Sequence, residues 1–156
     1  MKISLISVGT KMPNWVQQGF AEYEKRIKRD LGFSLIEVPL SRRAKNQSID
    51  QCLQKEGEAI LAQIPRDTRV VALDVLGKSL STEELASKIG GFKMQGQSLC
   101  LLVGGPDGLS PACLSVAHER WSLSALTLPH PLVRILISEQ LYRASAILSG
   151  HPYHRG

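Results

Sequence analysis

Apolar and polar positions along this chain switch repeatedly between an extended and a helical pattern. Residues 2–8 (KISLISV) are β-branched and apolar and predict a first strand. Pro13 then stands where a first helical turn tolerates a missing N–H. After it, Val16, Phe20, Tyr23 and Ile27 recur at helical spacing and predict one buried helix face. Residues 33–38 (FSLIEV) read as a second strand and the basic stretch 39–47 as a loop. Ser48 with Gln51 forms a capping box that opens a helix to about Gln63. A third strand follows at 69–75 (RVVALDV), and a second capping box, Ser81 with Glu84, starts a short helix to about Ile89. Residues 98–103 (SLCLLV) are apolar almost throughout, as expected of a strand buried on both faces. Ser110 and Pro111 supply N-cap and N1 of the next helix. Residues 122–128 (SLSALTL) predict a fifth strand, and after Pro129 and Pro131 a long apolar helix runs to about Ser149 before the tail GHPYHRG.

Strand–helix alternation on this scale predicts one α/β domain over residues 1–156, with a mainly parallel sheet of five to six strands flanked by helices. In such sheets ligands gather beyond the carboxyl ends of the strands. That rule selects Leu73–Leu76, Gly104–Gly108 and Leu126–Pro131, which face one cleft if the third, fourth and fifth strands are neighbours.

Composition narrows the class. With 43% hydrophobic and 21% charged residues the chain reads as globular. No apolar run approaches the ~20 residues of a membrane span, and the N-terminus lacks a signal-peptide cleavage site. Cys52, Cys100 and Cys113 are odd in number and far apart, without a CxxC pair, so neither a disulfide framework nor a metal site is expected. Buried, reduced thiols in a cytoplasmic protein are the expectation. The net charge of +5 is spread along the chain, with local clusters at Lys25–Arg29 and Arg42–Lys45. Such an excess is compatible with an RNA partner and with a merely solvated face.

The glycine-rich turn GGPDG (104–108) excludes two familiar nucleotide sites. A P-loop places Lys and Ser/Thr after its last glycine, but Leu109 and Ser110 stand there. A dinucleotide fingerprint follows the first strand and needs an acid about twenty residues later, where this chain has Leu128. Pro106 and Pro111 each remove a backbone donor from an anion, and Asp107 adds negative charge. Backbone at Gly104 and Gly105, with the leucines of the neighbouring strand ends, suits a flat heterocycle; a plain tight turn is the alternative.

The stretch SLSALTLPHPLVRILISEQLYRASAI (122–147), with GGPDGLSP before it, HPYHR after it and VGTKMPNWVQQGFAEYEKR near the start, resembles the ribosomal large-subunit pseudouridine N3-methyltransferase family. This family belongs to the trefoil-knotted SPOUT class of S-adenosylmethionine-dependent RNA methyltransferases. The resemblance spans essentially the whole chain. Asp107, where the family pattern has Glu, is a departure that keeps the charge. The resemblance implies a C-terminal trefoil knot, a homodimer, S-adenosylmethionine as cofactor, and methylation of N3 of a pseudouridine in 23S rRNA. It places the cofactor at Leu73, Gly104, Leu123, Ser124, Ala125, Leu126, Thr127 and Leu128. With no appended RNA-binding module, the assembled ribosome is the expected substrate.

Loss of the N3 proton calls for a base or for a group that stabilises the ring anion. Candidates are His154, first choice for proton handling, with Tyr153, Arg143 and His130. Arg134 and Arg143 read as substrate contacts on an apolar helix, although Glu139 lies i,i+4 from Arg143 and offers an ion pair instead. Trp15 and Trp121 read as packing residues and His118 as solvated. The apolar stripe Leu132, Val133, Leu136, Ile137, Leu141, Ala144 and Leu148 exceeds one helix face, which predicts a buried side and a subunit interface. A non-catalytic RNA- or ribosome-binding module of the same fold is the competing reading, and a nucleotide-dependent oxidoreductase is disfavoured by the glycine turn.

Overall fold

Two strands are buried at nearly every position, and they lie inside the sheet. The computed structural model describes residues 1–155. The buried strands are β1 (Ile3–Val8) and β4 (Ser98–Val103). Around them the chain builds α1 (Asn14–Ile27), β2 (Phe33–Val38), α2 (Ile49–Gln63), β3 (Thr68–Ser79), α3 (Thr82–Gln95), α4 (Pro111–Val116), β5 (Glu119–Ser122) and α5 (His130–Ser149). The sheet is five-stranded and parallel in the order β2-β1-β4-β3-β5, so the expected α/β architecture holds and β3, β4 and β5 are adjacent. Side-chain alternation splits the core into two layers. Ile3, Leu5, Leu99 and Leu101 face the side of α1, α3 and α5, whereas Ile6, Val8, Cys100 and Leu102 face α2 and α4. All three cysteines are buried and free; burial pushes the Cys100 thiol up to about 12, so it stays protonated.

Both capping boxes form as expected: Ser48 and Ser81 accept from the backbone of Gln51 and Glu84, whose side chains accept in return. Pro13 is the N-cap of α1, one place outside the first turn. The helix α3 passes the expected end at Ile89 and continues to Gln95, where Gly96 caps it in a left-handed conformation (φ 65°). The helix runs on through Gly90, which lets α5 pack closely; a Cβ there would stand 3.0 Å from Leu148.

Two further expectations, the fifth strand and Trp15, are corrected, and the solvated His118 gains a role. The fifth strand is Glu119–Ser122, and residues 123–128 do not join the sheet. Their alternation resembles a strand, but serine side chains replace the ladder: Ser122 Oγ donates to the Ser124 carbonyl, and Ser124 Oγ accepts from the Leu126 N–H. Trp121 is packed at 1% exposure, whereas Trp15, one residue off the buried Val16–Phe20–Ile27 stripe, is 57% exposed. His118 is exposed at its surface, but its Nδ1 accepts from the Val70 N–H at 2.9 Å and helps seat β5 against β3.

Strand β3 makes an excursion that matters for the site. Leu73 and Lys78 both pair with Trp121, so residues 74–77 leave the ladder and return at the same level. Gly77 permits the return, since a Cβ there would lie 2.7 Å from the Arg120 backbone. Beside it, Glu119 joins Arg69 (3.0 Å), Lys88 (2.9 Å) and Trp121 Nε1 (2.9 Å). Burial raises this carboxyl's pKa, but the Trp121, Lys88 and Arg69 hydrogen bonds outweigh it and bring it to about 2. The associated stability is complete above the ordinary value of 4.5 and is lost as pH falls towards 2. Glu119→Gln is therefore expected to cost about 2 kcal/mol at pH 7 in denaturant titrations. The difference from wild type should vanish near pH 2; a difference constant from pH 7 to pH 2 contradicts this assignment.

Candidate active site

Three loops close over the carboxyl ends of the adjacent strands and line one cavity of about 340 Å³, a size suited to a small-molecule ligand. The β3 excursion contributes Leu73 and Asp74–Leu76, the glycine turn contributes Gly104–Leu109, and the segment after β5 contributes Leu123, Ser124 and Leu126–Leu128. His130 and Val133 of α5 complete the wall. Seven of the eight residues expected to hold a cofactor thus face one space; Ala125 is exposed and is not on the wall.

The geometry explains how the 123–128 segment comes to lie there. Arg134 of α5 donates to Glu37 Oε2 on β2 (2.5 Å) and to the Gly9 carbonyl after β1 (3.1 Å). A Cβ on Gly9 (φ 116°) would lie 3.1 Å from the His130 ring. The chain therefore leaves β5 at one edge and reaches the end of β1, passing over the ends of β3 and β4. Arg134 is 2% exposed, with Nη1 and Nη2 both taken up in this cross-link and Nε buried without a partner, which corrects the expectation of a substrate contact.

The glycine turn is tight in its own right. Gly108 (φ 80°) bridges back to Gly105, whose carbonyl accepts from the Gly108 N–H at 3.1 Å. A Cβ on Gly104 would run into the Gly108 carbonyl and stand 2.8 Å from the Leu109 nitrogen. Ser110 Oγ is taken up as the N-cap of α4, where it accepts from the Cys113 N–H, and is not left for an anion.

The electrostatics disfavour an anion and favour a cation. No lysine or arginine lines the cavity among the described residues, whereas Asp74 and Asp107 do. Arg43, the guanidinium that reaches the turn, is already shared between Glu56 and Asp107. The walls are otherwise mostly leucine, valine and main chain, with Pro106 and the uncharged polar side chains of Ser124 and Thr127 beside His130. A flat apolar heterocycle carrying positive charge fits this donor set, and a phosphate does not. His130 has its imidazole held below the usual range by burial and by Arg134, against the raising influence of Glu56 and Val8, so at pH 7 it is neutral.

The remaining sequence candidates form a second cluster. His154 Nδ1 lies 3.2 Å from Arg143 Nη1, and its Nε2 lies 3.2 Å from Glu83 Oε1. Arginine can only donate, so Nδ1 accepts and the ring proton sits on Nε2, donated to Glu83. Arg143 also takes up the expected i,i+4 pair with Glu139 (2.7 Å) and lies 4.8 Å from the Tyr153 ring, which in turn packs on Tyr142 at 4.5 Å. The tail is thus docked on α5 and is not frayed. None of Arg143, Tyr153 and His154 is on the cavity wall. Arg143 stands roughly 20 Å along α5 from His130 at 1.5 Å per residue. The structure brings the three together and leaves His130 apart from them.

The Arg43–Glu56–Asp107 group was missed by sequence reasoning. Its signal was present: Cys52, Glu56 and Ile60, spaced by four, put a carboxylate on the buried stripe of α2. An acid at such a position demands a partner, and Arg43 in the preceding loop is that partner.

No helix among the described residues is long and apolar enough to cross a membrane, and no group of three or more His, Cys, Asp or Glu among them could hold a metal ion. A family model described as predicted SPOUT methyltransferase matches residues 1–154. Among solved structures, the fold is similar to a probable methyltransferase from Bordetella pertussis Tohama I, with 15% identity, a TM-score of 0.55, and coverage of 92% of this chain and 95% of that one. It is also similar to a probable methylase family protein from Haemophilus influenzae Rd KW20, with 16% identity, a TM-score of 0.51, and coverage of 99% and 70%. At these identities the likeness to the two structures is one of fold.

Proposed function

This chain belongs to the SPOUT methyltransferase family, and on that premise we propose that it methylates N3 of a pseudouridine in 23S rRNA, with S-adenosylmethionine as cofactor, on the assembled ribosome in the cytoplasm. The observation that carries the reading is the cavity itself: apolar walls, exposed main chain and two carboxylates, with its nearest guanidinium already neutralised. When bound, S-adenosylmethionine supplies an electrophilic methyl carbon on a cationic sulfur. Leu73, Gly104, Leu123, Ser124, Leu126, Thr127 and Leu128 would hold it through apolar contact and main-chain hydrogen bonds, with Ala125 supporting the segment from outside. Neutral His130 would orient the bound group without adding a competing positive charge.

Methylation at N3 requires the ring N–H proton to leave, and His154 is the proposed acceptor. In the docked tail Nδ1, the nitrogen with the free lone pair, accepts from Arg143 and Nε2–H donates to Glu83. His154 would therefore accept the proton at Nδ1 on giving up the Arg143 contact, with Glu83 keeping the other ring proton on Nε2, the released Arg143 stabilising the ring anion and Tyr153 stacking on the base. Since this cluster is not on the cavity wall of its own chain, a second copy would deliver it, which makes the enzyme a homodimer. Leu126, Leu132 and Leu136, all exposed on the crossing segment and α5, would form part of that interface. The trefoil knot belongs to the same reading, and the passage of residues 123–129 over the strand ends supports it.

Calorimetric titration with S-adenosylmethionine, followed by mass spectrometry of rRNA from a deletion strain, tests the proposal. Binding, and loss of one methyl group on a pseudouridine, are expected. Absence of binding would leave a non-catalytic RNA module as the better reading. Equal activity on a short rRNA hairpin and on ribosomes would exclude the assembled particle as the source of specificity, and a purely monomeric protein by sedimentation would exclude the shared site.

A further inference from the structure

Arg43 stands in the middle of the basic loop beside Arg42 and Lys45; all three are exposed, but the Arg43 side chain, 29% exposed, reaches back to α2 and the glycine turn. Its Nη1 donates to Glu56 and to the Ser41 carbonyl (2.7 Å), while Nε and Nη2 donate to Asp107 Oδ2 at 3.2 and 2.9 Å. Glu56 is 3% exposed and also accepts from the Ser41 N–H at 3.0 Å. Its other oxygen, Oε1, is buried without a partner and lies 3.5 Å from where a Cβ on Gly105 would be. One guanidinium therefore joins a fixed, buried carboxylate on α2 to the carboxylate of the turn that walls the cavity. The bond to Glu56 above all, and then Asp107, hold the proton of Arg43 more firmly than in a free arginine, against the opposing effect of burial.

We propose that Arg43 is a positioning residue for the cofactor cavity: anchored on Glu56, it holds Asp107 and so fixes the Gly104–Gly108 turn, while its neighbours Arg42 and Lys45 face outward to the RNA. The turn has few other ties. Asp107 and Gly108 are exposed, and among the described residues the hydrogen bond across the turn is Gly108 N–H to the Gly105 carbonyl. A planar fork with donors on two edges can span both carboxylates, which an ammonium cannot. The loop that would meet RNA phosphates and the turn that would meet the cofactor are thus mechanically one piece.

The inference rests on the S-adenosylmethionine reading above, and calorimetric affinity for that compound, measured without RNA, tests it. Arg43→Gln and Asp107→Asn are each expected to weaken binding about tenfold, and the double variant to be no weaker than either single one, because both break the same link. Arg43→Lys should recover only part of the loss. Because Arg43→Gln leaves Glu56 buried and unpaired and so threatens folding, Arg43→Gln/Glu56→Gln removes both charges; it should melt closer to wild type yet still bind weakly. Arg42→Gln/Lys45→Gln should bind S-adenosylmethionine as wild type does while losing affinity for ribosomes. Wild-type affinity in Asp107→Asn and in Arg43→Gln/Glu56→Gln would overturn the proposal, as would an equal loss in Arg42→Gln/Lys45→Gln, which would mean bulk charge. If the wild-type protein itself fails to bind, it is the functional reading that falls.

Discussion

Gly104→Ala is expected to reduce affinity for S-adenosylmethionine by about ten- to a hundredfold while leaving the sheet folded. The added methyl group meets main chain on the opposite limb of the turn, the Gly108 carbonyl and the Leu109 nitrogen, and neither can step aside as a flexible side chain would. Overpacking of this kind costs about 1–3 kcal/mol, and the turn can relieve it only by opening into the cavity that it walls. Circular dichroism should show the wild-type spectrum, because β4 ends at Val103 and its ladder partners precede the turn. The result separates two explanations of the same glycine. A residue needed only to close a turn would lower the melting temperature with unchanged affinity; one whose turn forms the binding wall loses affinity by far more than it loses stability. Calorimetry and thermal melts on the same preparation decide between them.

The second large effect is on stability. Trp121→Ala should destabilise the protein by about 3–5 kcal/mol, the usual range for emptying a buried aromatic site. Trp121 is 1% exposed, pairs with both Leu73 and Lys78 across β3, and donates its indole N–H to Glu119. Its loss removes core volume and loosens the point at which the β3 excursion is pinned, so the melting temperature should fall by roughly 10 °C for a domain of this size. Trp15→Ala should change stability by less than about 0.5 kcal/mol, since the ring is more than half exposed. Comparable losses from the two substitutions would show that exposure misjudges how the first helix is held.

Much of the framework was legible in the residues because local chemistry decides it. The capping boxes at Ser48 and Ser81, the buried run 98–103 and the apolar face of residues 14–27 each depend on side chains within a few positions of one another. The three places selected at the strand ends also converge, since strands β3, β4 and β5 are neighbours. Reading failed where a residue answers to a distant one. Alternation in SLSALTL predicts a strand, but that segment must travel to the end of β1, and its serines bond to their own backbone. Arg134, an arginine on an apolar helix, reads as a ligand contact until Glu37 and Gly9, more than ninety residues earlier, take up its guanidinium.

What the sequence determined by itself is therefore the alternation of elements, the capped starts of the helices at Ser48, Ser81 and Ser110, the exclusion of a phosphate at the glycine turn, and the family. Tertiary structure alone decided which charges are spent on one another. Arg43, Glu56 and Asp107 are scattered over sixty-five positions, and whether a guanidinium is free to meet a ligand depends on the carboxylates that folding sets beside it. Periodicity reports which face of an element is dry; it holds no information on which distant partner will neutralise a charge once water has been removed.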